Sequence, residues 1–271
     1  ITLITGASLG NDLDKQLTEA GVLARRLPFQ VDNTLRKAIN KGEVMFIDQH
    51  LSETVEQMRN QQLKKPDVAV IEAVAITEDG GIIPTTSVGN SASFAIFAEK
   101  VIVEINTNLS PAFEGLHDIY IPTYRPTRQA IPLTQVDERI GTHAINIDPS
   151  KIVGIVFNSE LHDSPSTVTA PDDETQSIAN HLIAFFEKEV AEDRLPKNLG
   201  PLQAGIGSIA NAVLTGLKDS NFEDLIMYSE VLQDCTFELI DAGKMKFASG
   251  SSITLSAQCG ERVFGNLEHY K

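Results

Sequence analysis

The chain has 271 residues, of which 42% are hydrophobic, and carries a formal net charge of −15. That is enough apolar material for one large or two smaller globular domains. The negative field argues against nucleic acid or an anionic membrane as partner, and no apolar run approaches the 18 or so residues of a membrane-spanning helix. No signal peptide is visible. The two cysteines, Cys235 and Cys259, stand far apart in no CxxC pattern and read as reduced structural thiols.

Short apolar runs alternate with amphipathic stretches through the first 160 residues. Strands are expected at Ile1–Thr5, Val44–Ile47, Val68–Ala73, Val101–Ile105 and Ile152–Phe157, and helices at Leu13–Ala20, Thr34–Ile39, Val55–Asn60 and Ser93–Glu99. This βαβ rhythm implies a mostly parallel sheet. Glu78-Asp79-Gly80-Gly81 reads as a tight turn joining Val68–Ala73 to Gly81-Ile82-Ile83-Pro84 as a hairpin. Residues 108–150, with Pro111, Pro122, Pro126, Pro132 and Pro149, form a long irregular excursion. The linker Ser164–Asp173 ends in a cap, Asp172 or Asp173, for a helix running to about Ala191. A second α/β stretch starts near Leu199, so the division expected is 1–163, a connecting segment 164–198, and 199–271, the last too short to complete a doubly wound domain.

Most motifs have an ordinary reading. Thr5-Gly6-Ala7-Ser8-Leu9-Gly10 follows a strand like a dinucleotide loop, but Asp12 stands where a third glycine belongs and no Tyr-x-x-x-Lys pair follows. The six histidines show no metal-ligand spacing, and there is no GxSxG elbow. Glu72, amid an apolar run, needs a hydrogen-bonding partner if buried. The polar loop Thr85–Asn90 is a candidate substrate contact.

Two strand-to-helix handovers stand out. In Leu202-Gln203-Ala204-Gly205-Ile206-Gly207 two glycines permit close backbone approach ahead of a helix Ser208–Leu217, whose N-terminus favours anions; tight packing alone is the other reading. Downstream, Asp224–Met227 reads as a buried strand followed by a helix to Gly243. Glu230 then sits in the helix's first turn, as a cap or as a chemical group, with Asp234 one turn on.

Gln203–Val213, Tyr228-Ser229-Glu230-Val231-Leu232-Gln233-Asp234 and Leu239-Ile240-Asp241-Ala242-Gly243-Lys244 resemble the acetyl-CoA hydrolase/transferase family, and within it the succinyl-CoA:acetate CoA-transferases. Arg36–Asn40, Asp48–Ser52, Ile71–Ile76, Ser87–Asn90, Gly115–Ile119 and Arg194–Leu199 are similar to family signatures in the same order. The resemblance implies two open, mostly parallel-sheet α/β domains of the class I CoA-transferase type. It also implies truncation at both ends: the family's N-terminal strand would precede Ile1, and further CoA contacts would follow Lys271. It makes Glu230 the nucleophile that passes through an acyl anhydride to a glutamyl-CoA thioester, and the Ile206 N–H part of an oxyanion hole. Leu202, Gln203, Ala204, Gly205, Ile206 and Gly207 would contact CoA, a cosubstrate. Loops around Ser8, His50 and Ser87–Asn90 would line the acyl pocket. The resemblance further implies acyl-CoA and small carboxylates as substrates, no metal or nicotinamide, a homodimer, and a cytoplasmic site (the mitochondrial matrix in a eukaryote). A thioesterase and a non-catalytic acyl-CoA-binding module are the rival readings.

Overall fold

In the computed structural model, residues 1–7, 12–159 and 172–271 are described. The chain forms two compact units: Ile1–Ile131 with Gly141–Ser164, and Pro132–Ile140 with Pro165–Lys271.

The first unit opens with β1 (Thr2–Ile4), α1 (Asp12–Glu19), β2 (Arg25–Leu27), α2 (Asn33–Asn40), β3 (Met45–Phe46) and α3 (Leu51–Arg59). The three strands make a parallel sheet in the order β1-β2-β3. Asp32 starts α2 by accepting from Leu35 N at 2.7 Å. Asp14 of α1 and Arg26 of β2 form a fully buried ion pair, with Nε–Oδ1 at 2.7 Å and Nη2–Oδ2 at 3.1 Å.

A second sheet follows from β4 (Val68–Ile76), β5 (Ile82–Pro84), α4 (Ser91–Phe97), β6 (Lys100–Asn106) and β7 (Ile152–Asn158). Its order is β5-β4-β6-β7, all parallel except the β4–β5 hairpin. Alternation decides its faces. Ala69, Ile71, Ala73, Val101, Val103 and Ile105 are buried against Ala92 and Ala95 of α4, while Val68 and Val70 are exposed. Lys151 closes the end of α4, donating to Ala95 O at 2.9 Å and Ile96 O at 2.7 Å. Burial holds its ammonium below the usual lysine range.

The second unit contains α5 (Asp173–Ala191), β8 (Pro201–Leu202), α6 (Ser208–Asp219), β9 (Leu225–Tyr228), β10 (Val231–Leu232), α7 (Asp234–Asp241), β11 (Met245–Ser249), β12 (Ser252–Ile253), α8 (Ala257–Phe264) and α9 (Leu267–Tyr270). Strands β11-β9-β8 form one parallel sheet and β10-β12 a parallel pair. Leu214, Leu217, Leu225, Met227, Phe237 and Leu239 form its core, with Ile183, Phe186 and Val190 of α5 packed on it. Asp172 caps α5 through Thr175 N at 2.8 Å, as expected.

The expected elements of the first 160 residues are present, with ends shifted by a few residues. The helix expected from Glu230 onward is not: it begins at Asp234, and Glu230 lies between two strands. The reason is tertiary, because Val231 and Leu232 pair with Ser252 and Ile253. The linker 164–171, His162 and the Ser8 end of the opening loop lie outside the described residues.

Candidate active site

Pairing of β8 with β9 lays the start of the glycine loop beside the strand that delivers Glu230, with Leu202 opposite Met227. Beyond the ladder, side chains continue the connection. Ser229 Oγ donates to Ala204 O at 2.9 Å and accepts from Ala204 N at 3.4 Å, and Gln233 Nε2 donates to Gly205 O at 3.3 Å. The structure therefore brings together the two segments singled out in the sequence. The residues that join them, Ser229 and Gln233, were missed; their signal was position alone, flanking Glu230 in a polar break between apolar pairs.

Glu230 is held by its backbone. Its carbonyl accepts from Ser251 N at 2.8 Å, Ser252 N at 3.2 Å and Ser251 Oγ at 2.8 Å. This close approach requires Gly250, where a Cβ would stand 2.9 Å from Leu232 Cγ and 3.3 Å from Glu230 O. The Glu230 carboxylate is exposed and makes no hydrogen bond or ion pair to any described residue. The reading of Glu230 as a helix cap is thereby removed. Asp234, the first residue of α7, is not an open partner for it: its carboxylate accepts from Ser256 N at 2.8 Å and Ser256 Oγ at 2.5 Å.

Ile206 is 63% exposed, and its N–H donates to no described residue. Gly207 stands at the N-cap of α6 with φ 139° and ψ 169° and no side-chain cap, a backbone shape that glycine adopts without strain. With no side-chain cap from Gly207, the N-terminus of α6 has the form that favours an anion. A carboxylate on a fixed backbone, in a segment bonded to the loop that carries the Ile206 N–H, suits attack on a carbonyl whose oxygen takes up negative charge.

In the first unit, the ends of β1, β2 and β3 bring Thr5-Gly6, Gln30 and Gln49-His50 to one edge of their sheet. Gly6 faces Asn90, with a Cβ there lying 3.9 Å from Asn90 N. Gln30 Oε1 and Asn90 Nδ2 are buried without hydrogen-bond partners among the described residues. His50 precedes α3 and makes no side-chain cap. Glu72 lies mid-strand, and its carboxylate accepts from Thr85 Oγ1 at 2.9 Å and Asn106 Nδ2 at 2.8 Å.

Both cysteines are free. Burial pushes the Cys235 thiol up to about 11, and burial with the nearby Asp234 charge pushes Cys259 up to about 12. No cluster of three or more His, Cys, Asp or Glu among the described residues would hold a metal, and no described helix is long and apolar enough to cross a membrane.

The architecture is that of a CoA-transferase. The 4-hydroxybutyrate CoA-transferase of Porphyromonas gingivalis superposes with a TM-score of 0.60 over 95% of this chain and 59% of that one. At 19% identity this similarity speaks for the fold alone. The chain belongs to the acetyl-CoA hydrolase/transferase family: residues 1–157 match the family's N-terminal domain. It is 44% identical to an acetyl-CoA hydrolase of Schizosaccharomyces pombe, over 99% of this chain and 52% of that protein. It is 45% identical to a succinyl-CoA:acetate CoA-transferase of Clostridium kluyveri, over 95% of this chain and 48% of that protein. The chain thus spans about half the length of these curated relatives.

Proposed function

We propose that the protein works as a CoA-transferase, moving CoA from a short acyl-CoA to a small carboxylate through a thioester on Glu230. The observation that carries this reading is a carboxylate on a backbone fixed by three hydrogen bonds, next to Ser229, which is bonded to the loop of Ile206; among the described residues neither the carboxylate nor the Ile206 N–H has a partner. Glu230 attacks the thioester carbonyl, and CoA leaves as the thiolate, giving a mixed anhydride. The thiolate then attacks the glutamyl carbonyl and expels the donor's carboxylate, leaving glutamyl-CoA. The acceptor carboxylate repeats these steps in reverse and departs as the new acyl-CoA. Carboxylate is a weak nucleophile in water, so the fixed backbone and the oxyanion donors supply what the side chain lacks. In this reading residues 202–207 contact CoA.

Incubation with acetyl-CoA followed by borohydride should convert Glu230, and no other carboxylate, to the corresponding alcohol, as read by peptide mass spectrometry. Reduction elsewhere, with Glu230 intact, would overturn the assignment. Glu230→Ala should abolish transfer. Glu230→Asp should nearly do so, because one methylene withdraws the nucleophile by about 1 Å.

The hydrolase name of the S. pombe relative favours a second reading, in which water resolves the intermediate. Adding acetate or succinate separates the two: a transferase accelerates and conserves the thioester, whereas a hydrolase loses it at an unchanged rate.

A further inference from the structure

At the end of α3, Arg59 is a charged group with incomplete hydrogen bonding. Its side chain is 13% exposed, and its Nε is buried with no hydrogen-bond partner among the described residues. Glu56, within the same helix, lies 3.9 Å away between Nη1 and Oε2, beyond hydrogen-bonding distance. That carboxylate is also shared. Its Oε1 accepts from Asn60 Nδ2 at 3.1 Å and stands 3.9 Å from Nη1 of Arg128, which arrives from the irregular excursion and is 58% exposed.

Two guanidinium groups therefore share one carboxylate, neither through a direct hydrogen bond. The cluster carries a net positive charge in a chain of −15. Burial lowers the Arg59 pKa most, and proximity to Arg128 lowers it further, against the pull of Glu56. As a tether for the excursion the arrangement is poor, because the Arg128–Glu56 pair is long. As a receptor it is well composed: an oxyanion between the two arginines would accept from their Nη groups and offset the repulsion. A phosphoryl group, with two charges and three oxygens, matches two guanidinium forks better than a single carboxylate does.

We propose that Arg59 and Arg128 form an oxyanion site that takes a phosphoryl group, either free phosphate or one carried by a nucleotide-bearing ligand. It lies at the opposite end of α3 from His50, about 13 Å of helix away, and does not depend on the role given to Glu230.

The test is calorimetric titration of the 271-residue chain with inorganic phosphate at constant ionic strength, repeated with Arg128→Ala and Arg59→Lys. Arg128→Ala changes a mostly exposed side chain and should fold normally. Saturable phosphate binding, weakened roughly tenfold or more in both variants, is the expected result, since each loses charge-assisted hydrogen bonds. No saturable binding, or equal binding by wild type and both variants, overturns the proposal. Should Arg59→Lys fail to fold, Arg128→Ala alone decides. Parallel titrations with coenzyme A and its 3′-dephospho form identify the source. A preference for coenzyme A that Arg128→Ala removes assigns a nucleotide-borne phosphate; the absence of that preference, with phosphate binding retained, assigns the free anion.

Discussion

Glu230 combines a side chain with no partner among the described residues and a backbone with three hydrogen bonds. A surface glutamate with only a structural role has no need of that combination, whereas a nucleophile does: the carboxylate must be available and its starting position narrow. Ile206 is the complementary case, because its side chain is exposed and the group of interest is its N–H. The two substitutions Ile206→Ala and Ile206→Pro therefore separate side chain from backbone. The alanine variant keeps the donor and should retain activity within a few-fold. The proline variant lacks it and should lose on the order of 10²–10³ in kcat, the usual cost of one oxyanion donor, with the melting temperature checking that the fold persists. Equal kcat values for the two variants would remove Ile206 from the oxyanion hole.

Packing between elements sets where those groups stand. The turn between β11 and β12 reaches Glu230 only because Gly250 has no side chain. Gly250→Val should force the turn away, lowering kcat more than the roughly 1–3 kcal/mol of stability usually lost to overpacking, as read from kinetics beside denaturant melts. Asp14→Ala is the stability counterpart: it strands the buried Arg26 guanidinium between α1 and β2 and should cost about 3–5 kcal/mol in urea unfolding. Local signals made much of this scaffold legible. The Asp172 cap, the Glu78–Gly81 turn and the period-two burial of β4 and β6 are each readable within a few residues. That the glycine loop lies next to the segment carrying Glu230 was legible too, because each follows a strand. The helical start at Glu230 was misread because Val231 and Leu232 continue into the helical spacing of Cys235, Leu239 and Ile240. What makes them a strand is Ser252–Ile253, twenty residues further on. The burial of Asp14, inside the expected helix Leu13–Ala20, leaves no local signal, since it depends on Arg26.

Over the whole molecule, the charge of −15 already works against compactness at neutral pH, and alkali adds to it. The buried thiols sharpen this dependence. Cysteine ordinarily titrates near 9, whereas the fold holds the Cys235 proton to about 11 and the Cys259 proton to about 12. Between those values the folded chain binds more protons than the unfolded one, so stability is intact below about pH 9 and falls as pH rises above it. The urea midpoint should therefore drop between pH 8.5 and 10.5. In a Cys235→Ala/Cys259→Ala variant the drop should be shallower, even though the cavities lower its stability at every pH. Lysine and tyrosine titration is common to both proteins, so the difference in slope isolates the thiols. Parallel slopes would mean that both thiols titrate in the native protein as they do in the unfolded chain.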